Sequence, residues 1–208
     1  MKVTRYPQSC LVIQSEQGKI VIDPGINFLE HHTFSEIADV DAVLYTHQHG
    51  DHYDESIANE LKTQGVPIYC NESTAKLVGE GANVIADNQS FTAAGFSITA
   101  RELAHMPLAD GSEGPQNTGY IIDGVFFHPG DGKDIDDLLV DNLALPITGP
   151  DISMKQAFDF AKKLQAKKVI PIHYDLITTD PHVYKRFAEG NNMPFEMIVL
   201  ADGQSVEL

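Results

Sequence analysis

The sequence predicts an α/β fold in which two mixed β-sheets pack face to face, with helices on the outer faces. Hairpin patterns occur in both halves of the chain, and strand–helix–strand units lie among them. The chain has 208 residues, 42% of them hydrophobic, which is enough for a sizeable core. No low-complexity or linker-like stretch divides it. We therefore expect a single domain over residues 1–208.

The first half predicts a hairpin followed by alternating strands and helices. Apolar runs on both sides of a Ser-Glu-Gln-Gly turn predict the hairpin. Asp54 is a typical helix N-cap and Gly65 a typical helix stop, and the apolar residues between them share one face. The expected elements are strands at 11–14, 19–23, 40–46 and 66–70, a helix between Asp54 and Gly65, and a helix at 71–79.

The second half predicts further strands and one long amphipathic helix. An Asp-Gly pair at 123–124 predicts a tight hairpin turn. Ser153 is a typical N-cap, and apolar residues follow it at helical spacing as far as Leu164. The expected elements are strands at 91–92, 96–105, 120–122, 125–128, 143–148 and 168–172, the helix after Ser153, and a final hairpin of strands at 195–200 and 205–208.

The charge of the chain narrows the range of partners. Thirty acidic residues against 14 Lys plus Arg give a formal net charge of −16, which repels phosphate backbones and anionic membranes. Cys10 and Cys70 can form one bridge at most, and the apolar run at 11–13 is too short for a signal peptide or a membrane span. We expect a cytoplasmic protein with a small-molecule substrate, no nucleic-acid or membrane partner, and room for a homo-oligomer.

The densest functional signal is the segment at 47–52, HQHGDH. It follows a predicted strand directly, and alternation along that strand points His47 and His49 to the same side. A turn at the glycine brings Asp51 and His52 towards a second position close by. Imidazole nitrogen and carboxylate oxygen suit borderline metals such as zinc. The alternative is an exposed polar turn that is rich in histidine.

Three further residues stand where predicted strands end. His105 follows one strand, Asp131 comes shortly after the hairpin at 120–128, and His173 follows the strand at 168–172. In sheets with crossover helices, functional sites gather at the carboxyl ends of strands. Each residue alone could be an ordinary packed or solvated side chain. Together they indicate one shared site.

The order HxHxDH, a later His, a Gly-Asp and a last His resembles the metallo-β-lactamase superfamily. The segments KIVIDP at 19–24, FHPGD at 127–131 and VIPIHY at 169–174 are similar to the small ascorbate-phosphate-lactonase-like metal-dependent hydrolases. The resemblance extends over nearly the whole chain. It implies the αββα four-layer sandwich of the metallo-β-lactamase fold, which agrees with the elements expected above.

The resemblance also implies two divalent metal ions, zinc first, with manganese or iron as alternatives. The implied ligands are His47, His49 and His105 for the first metal, Asp51, His52 and His173 for the second, and Asp131 as a bridge. Members that hydrolyse β-lactams commonly carry Cys at the bridging position, and here that position is an aspartate. Antibiotic hydrolysis is therefore not expected.

The implied activity is that of a dinuclear metal-dependent hydrolase. A metal-activated hydroxide would attack a small ester, lactone or phosphoester metabolite. Asp51 is the catalytic candidate, because it could orient that hydroxide or relay its proton. One alternative is a phosphodiesterase or nuclease of the same fold, against which the net charge counts. The other is a non-catalytic metal-binding protein.

Several residues near the expected site have two interpretations. Asp23 could hydrogen-bond a ligand imidazole or simply cap the turn before a proline. His128 could contact substrate or steady its loop. The loop at 110–117 and Lys133 could face substrate or solvent. Gln8 stands where the lactonase-like branch often has His, so the substrate of that branch does not carry over.

Overall fold

The computed structural model describes residues 1–208, which form 14 strands, five α-helices and a short 3-10 helix at Phe34–Glu36. The strands are β1 (Lys2–Arg5), β2 (Leu11–Gln14), β3 (Lys19–Ile22), β4 (Ala42–Tyr45), β5 (Ile68–Cys70), β6 (Ala82–Val84), β7 (Ser90–Ala93), β8 (Phe96–Glu102), β9 (Thr118–Ile122), β10 (Phe126–His128), β11 (Asn142–Pro146), β12 (Lys168–Ile172), β13 (Glu196–Met197) and β14 (Ser205–Glu207). The helices are α1 (Ile26–His31), α2 (Glu55–Thr63), α3 (Glu72–Val78), α4 (Met154–Lys163) and α5 (Pro181–Gly190). None of them combines the length and the apolar character that a bilayer crossing requires.

The strands form two seven-stranded mixed sheets. The first has the order β14-β1-β2-β3-β4-β5-β6 and is antiparallel up to β3 and parallel from β3 to β6. The second has the order β13-β12-β11-β10-β9-β8-β7 and is parallel from β13 to β10 and antiparallel beyond. The predicted α/β class with two mixed sheets is confirmed.

Alternating side chains of each strand supply two different layers of the core. In β3, Ile20 and Ile22 belong to the apolar cluster between the two sheets, together with Phe126 of the second sheet. Val21 faces the other way and shares a cluster with Leu61 of α2. A third cluster packs α4 and α5 against the outer face of the second sheet. The layers therefore follow the order αββα, as the resemblance implies.

The helix starts agree with the capping residues that the sequence predicts. The Asp54 carboxylate accepts a hydrogen bond from the Ile57 N–H, and α2 starts there. Ser153 forms a capping box with Gln156 at the start of α4. Gly65 has a φ of +78°, a left-handed conformation suited to glycine, just beyond the end of α2.

The prediction of a final hairpin from strands at 195–200 and 205–208 is wrong. Residues 196–197 form β13 beside β12 in the second sheet, whereas residues 205–207 form β14 beside β1 in the first. The turn between them carries the chain from one sheet to the other. Sequence spacing alone could not show this, because each segment completes the edge of a different sheet. The 96–105 strand also ends earlier, at Glu102, and His105 forms an isolated bridge with Gly132.

Candidate metal centre

The chemically active side chains converge at one end of the two sheets. His47 follows β4 of the first sheet, while His105, Asp131 and His173 follow β8, β10 and β12 of the second. The last three strands run in the same direction, because β8 and β10 are both antiparallel to β9, and β10 to β12 are parallel. Their carboxyl ends therefore meet at one edge.

The first group of possible ligands is formed by His47, His49, His105 and Asp131. One ligand atom from each lies within 4.8 Å of the others. The His47 Nε2 is 3.1 Å from the His49 Nδ1, and the His105 Nε2 is 3.3 Å from Asp131 Oδ2. His49 thus directs its Nδ1 towards this group, whereas His47 and His105 direct their Nε2 atoms.

The second group contains Asp51, His52 and His173, whose ligand atoms also lie within 4.8 Å of one another. Asp51 Oδ2 is 3.3 Å from the His173 Nε2 and 3.7 Å from the His52 Nε2. Asp131 contacts this group too, since its Oδ1 is 3.1 Å from the His52 Nε2 and its Oδ2 is 3.1 Å from the His173 Nε2. A single buried carboxylate therefore lies between the two groups.

Four of the five imidazoles are held from behind through Nδ1. The partners of Nδ1 are the Thr46 hydroxyl for His47 (3.1 Å), Asp23 for His52 (2.7 Å), the Met106 carbonyl for His105 (2.5 Å) and the Thr148 carbonyl for His173 (2.8 Å). The three oxygens that can only accept place the proton on Nδ1. When these rings are neutral, their Nε2 lone pairs face the centre, as metal ligation requires.

Asp23 is fully buried beneath His52. Its Oδ2 accepts hydrogen bonds from the His52 Nδ1 and the Thr46 hydroxyl, both at 2.7 Å, and its Oδ1 accepts from the Thr46 N–H at 2.8 Å. Its backbone φ is +52°. The sequence leaves two interpretations of Asp23 open, a hydrogen bond to a ligand imidazole or a turn cap. This geometry favours the hydrogen bond to the His52 imidazole.

His128 is fully buried, and both of its ring nitrogens contact the backbone. Its Nε2 donates to the Ser9 carbonyl at 2.9 Å, and its Nδ1 accepts from the Gly130 N–H at 3.2 Å. Burial lowers the pKa of His128, in agreement with a neutral ring that accepts at Nδ1. These contacts favour the loop-steadying interpretation over substrate contact.

Charges divide unevenly between the two groups in the metal-free protein. Burial disfavours the charged form of His173, but Asp131 outweighs this and raises the pKa of His173 to about 10. For the same reason the pKa of His52 is raised well above its ordinary value by Asp131, Asp23 and Asp51 despite its burial. In contrast, burial and the neighbouring His52 lower the pKa of His47 well below its ordinary value. His52 and His173 in the second group therefore hold an extra proton more readily than His47 in the first.

The donor atoms suit borderline divalent cations. The Nε2 atoms of His52, His105 and His173 and the Oδ1 of Asp131 are buried without a hydrogen bond of normal geometry, although Asp131 Oδ1 lies 3.1 Å from the His52 Nε2. Buried polar atoms in folded proteins are normally partnered. Five imidazoles and two carboxylates that converge from separate strands are the ligand types that zinc and related metals accept.

A cavity of about 830 Å³ lies beside His105. The segment 111–117 lines it, and so do Glu102 and Lys133. Gly114 packs so closely on the His105 ring that an added Cβ would lie 2.3 Å from Nδ1, so no larger residue fits there without displacement. The Lys133 ammonium forms an ion pair with the Asp151 carboxylate at 2.5 Å.

Gln8 also contacts the centre, which was not predicted from the sequence. Its side chain is buried, and its Nε2 donates to Asp51 Oδ2 at 2.9 Å. The two residues are 43 positions apart, and no local pattern links them. The departure from the lactonase-like pattern at position 8 was the only signal.

An αββα sandwich that gathers histidines and aspartates at the strand ends of both sheets has the architecture of the metallo-β-lactamase superfamily. The family model described as the β-lactamase superfamily domain matches residues 2–173, and the chain belongs to this family. The resemblance recognised in the motifs is thereby confirmed.

Relatives of similar length extend the match to the remaining residues. A UPF0173 metal-dependent hydrolase of Pelotomaculum thermopropionicum is 30% identical and is matched over 100% of both chains. Protein Rv0786c of Mycobacterium tuberculosis is 25% identical, with 95% of this chain and 96% of that protein covered. Igni18, a metallo hydrolase from Ignicoccus hospitalis, superposes with a TM-score of 0.76 at 20% identity, covering 99% of this chain and 97% of Igni18. That structural likeness shows the fold.

Proposed function

We propose that the protein is a dinuclear metal-dependent hydrolase of a small ester, lactone or phosphoester. Metal-dependent hydrolysis is the class that several full-length curated relatives share. The proposal that the centre holds two metal ions rests on the position of Asp131. Its two oxygens approach His105 and His173 through Oδ2 and His52 through Oδ1, so one carboxylate serves both ligand groups.

Each group would hold one cation. The proposed ligands are His47, His49 and His105 for the first, Asp51, His52 and His173 for the second, and Asp131 for both. Zinc is the first choice because imidazole ligands dominate, and manganese and iron are the alternatives. When bound, two such ions supply Lewis acidity and a water of lowered pKa as the nucleophile.

Asp51 is the proposed catalytic residue. Its side chain is 17% exposed, against 5% for Asp131, so it is the more accessible of the two carboxylates. Burial disfavours its charge, but His52 and His173 outweigh burial and hold the pKa of Asp51 well below its usual range. The ionised carboxylate can orient a nucleophilic water, accept a proton from that water and pass the proton to the leaving group.

The size and charge of the surroundings support a small-molecule substrate. The cavity beside His105 has the volume of a small-ligand pocket. Glu102, Glu113 and Asp134 line it, and together with the net charge of −16 they disfavour a polyanion. We accordingly propose no nucleic-acid or membrane partner. We also propose a cytoplasmic location, with room for a homo-oligomer.

Metal analysis coupled to a substrate panel tests the proposal. We expect about two metal ions per chain by mass spectrometry and turnover of a lactone, carboxylester, thioester or phosphodiester with Zn, Mn or Fe. His49→Ala should lose metal and activity, whereas His182→Ala, at an exposed position of α5, should lose neither.

Other results of the metal analysis and the substrate panel would favour the alternative functions. Fewer than two metals in the wild type would contradict the dinuclear centre. Full metal content with no turnover of any substrate would favour a non-catalytic metal-binding protein. Turnover restricted to phosphodiesters would favour the phosphodiesterase alternative.

A further inference from the structure

Gln8 bridges the candidate metal centre and the segment that follows His173. Its side chain is buried, and the residue is 1% exposed. The amide nitrogen donates to Asp51 Oδ2 at 2.9 Å. The amide oxygen accepts from the N–H groups of Asp175 and Leu176, both at 3.1 Å. The amide oxygen therefore accepts two hydrogen bonds, and the amide nitrogen donates one.

These contacts fix which way the amide faces. If it were reversed, the oxygen would face the Asp51 carboxylate and the NH₂ would face two N–H donors. Both contacts would be repulsive, so the network defines the orientation. Gln8 is consequently the donor to Asp51.

The backbone of Gln8 is fixed independently of Asp51. Its carbonyl accepts from the His173 N–H at 2.8 Å, and its N–H donates to Asp175 Oδ2 at 2.6 Å. That carboxylate also forms an ion pair with the buried Arg5. Gln8 is thus anchored to the segment that carries His173, and its side chain extends from there to Asp51.

We propose that Gln8 is a positioning residue that holds Asp51 in the orientation in which it can serve the second metal, an inference that rests on the proposed function. One donor on Oδ2 restricts rotation of the carboxylate, while Oδ2 stays 3.3 Å from the His173 Nε2. An uncharged amide does this without placing a positive charge beside a cation site. Partners of this kind, which orient a metal ligand, typically contribute 10–100-fold to metal affinity.

The most direct test is Gln8→Asn. Asparagine keeps the amide and tolerates the left-handed backbone at this position, where φ is +62°. It is one methylene shorter, so it cannot reach Asp51 and the 175–176 backbone together. We expect the affinity for the second metal equivalent to fall about 10–100-fold while the first equivalent binds unchanged. Gln8→Leu, which removes both ends of the bridge, should weaken the second equivalent at least as much.

Ser9→Ala is the matched control. The Ser9 hydroxyl is buried next to Gln8 and has no hydrogen-bond partner, so its removal leaves Asp51 untouched. Cobalt(II) is titrated into the metal-free proteins against a competing chelator, and the visible spectrum follows the two equivalents separately. Thermal melts of the metal-free proteins identify any variant that does not fold.

The outcomes separate this inference from the proposed function. Selective loss of the second equivalent in Gln8→Asn, with Ser9→Ala unchanged, supports the positioning role. If the wild type binds two ions and a folded Gln8→Asn binds both equally well, the role of Gln8 is wrong and the dinuclear centre stands. Equal weakening of both equivalents would also overturn it, because that indicates general loosening. If the wild type binds fewer than two ions, both proposals fail.

Discussion

Replacing Asp23 with asparagine should weaken metal binding at the His52 side of the centre, although Asp23 itself is not a proposed ligand. Asp23 accepts from the His52 Nδ1 through one oxygen and from the Thr46 N–H through the other. An asparagine can satisfy only one of these donors, because its second position is an NH₂ group. If it keeps the Thr46 bond, His52 must accept at Nδ1 and carry its proton on Nε2, where the metal should bind.

The size of the effect follows from these contacts. Loss of an orienting partner typically reduces metal affinity 10–100-fold, which is about 1.4–2.8 kcal/mol. The metal-free protein also loses a buried hydrogen bond to a charged acceptor, a loss of about 1.5–3 kcal/mol in the free energy of unfolding. Backbone strain should add little, because asparagine tolerates the φ of +52° at this position.

Chelator-competition titration measures the metal affinity, and ¹⁵N NMR of the His52 ring reports which nitrogen carries the proton. Asp123→Asn is the matched control, since Asp123 also has a positive φ of +51° but lies in the turn between β9 and β10, away from the centre. Unchanged affinity for both metal equivalents in Asp23→Asn would refute the reasoning. An equal loss in Asp123→Asn would do the same.

Two further predictions follow from the site. Gly114→Ala should displace the His105 ring and weaken the first metal equivalent in the same titration, whereas Gly190→Ala, where a Cβ meets nothing within 4 Å, should not. The second concerns the metal-free protein. Because the pKa of His173 is raised to about 10, above an ordinary value near 6.5, the folded state binds more protons than the unfolded state between these values. The urea midpoint should therefore decline from about pH 6.5 to pH 10, and the decline should be smaller in His173→Gln.

The residues of the centre could be found from the sequence because their signals are local. His47, His49, Asp51 and His52 lie within six positions, and a strand that ends at a histidine can be recognised from its apolar run. The structure brings these residues together with His105, Asp131 and His173. What the sequence could not supply is the geometry behind them. The contact between Gln8 and Asp51 depends on how two distant loops meet.

The fold shows the same division between local and long-range information. The start of α2 at Asp54 could be predicted from capping chemistry alone. Helix α5 could have been found as well, since Asp180 caps it and Pro181 occupies its first turn. The sheet that residues 205–207 join could not be predicted, because their pairing with β1 spans nearly the whole chain. Edge pairing depends on which sheet lacks a strand, and no segment carries that information by itself.

The pairing of β14 with β1 has a consequence for the protein during its synthesis. Val3 lies opposite Val206, so β1 pairs with a strand that leaves the ribosome long after it. At ordinary translation rates about 10–40 s separate the two. During that interval β1 lacks its β14 partner, and an unpaired strand edge is a known risk for aggregation. The pairing of β14 with β1 therefore also removes an unpaired strand edge at which wrong partners could add.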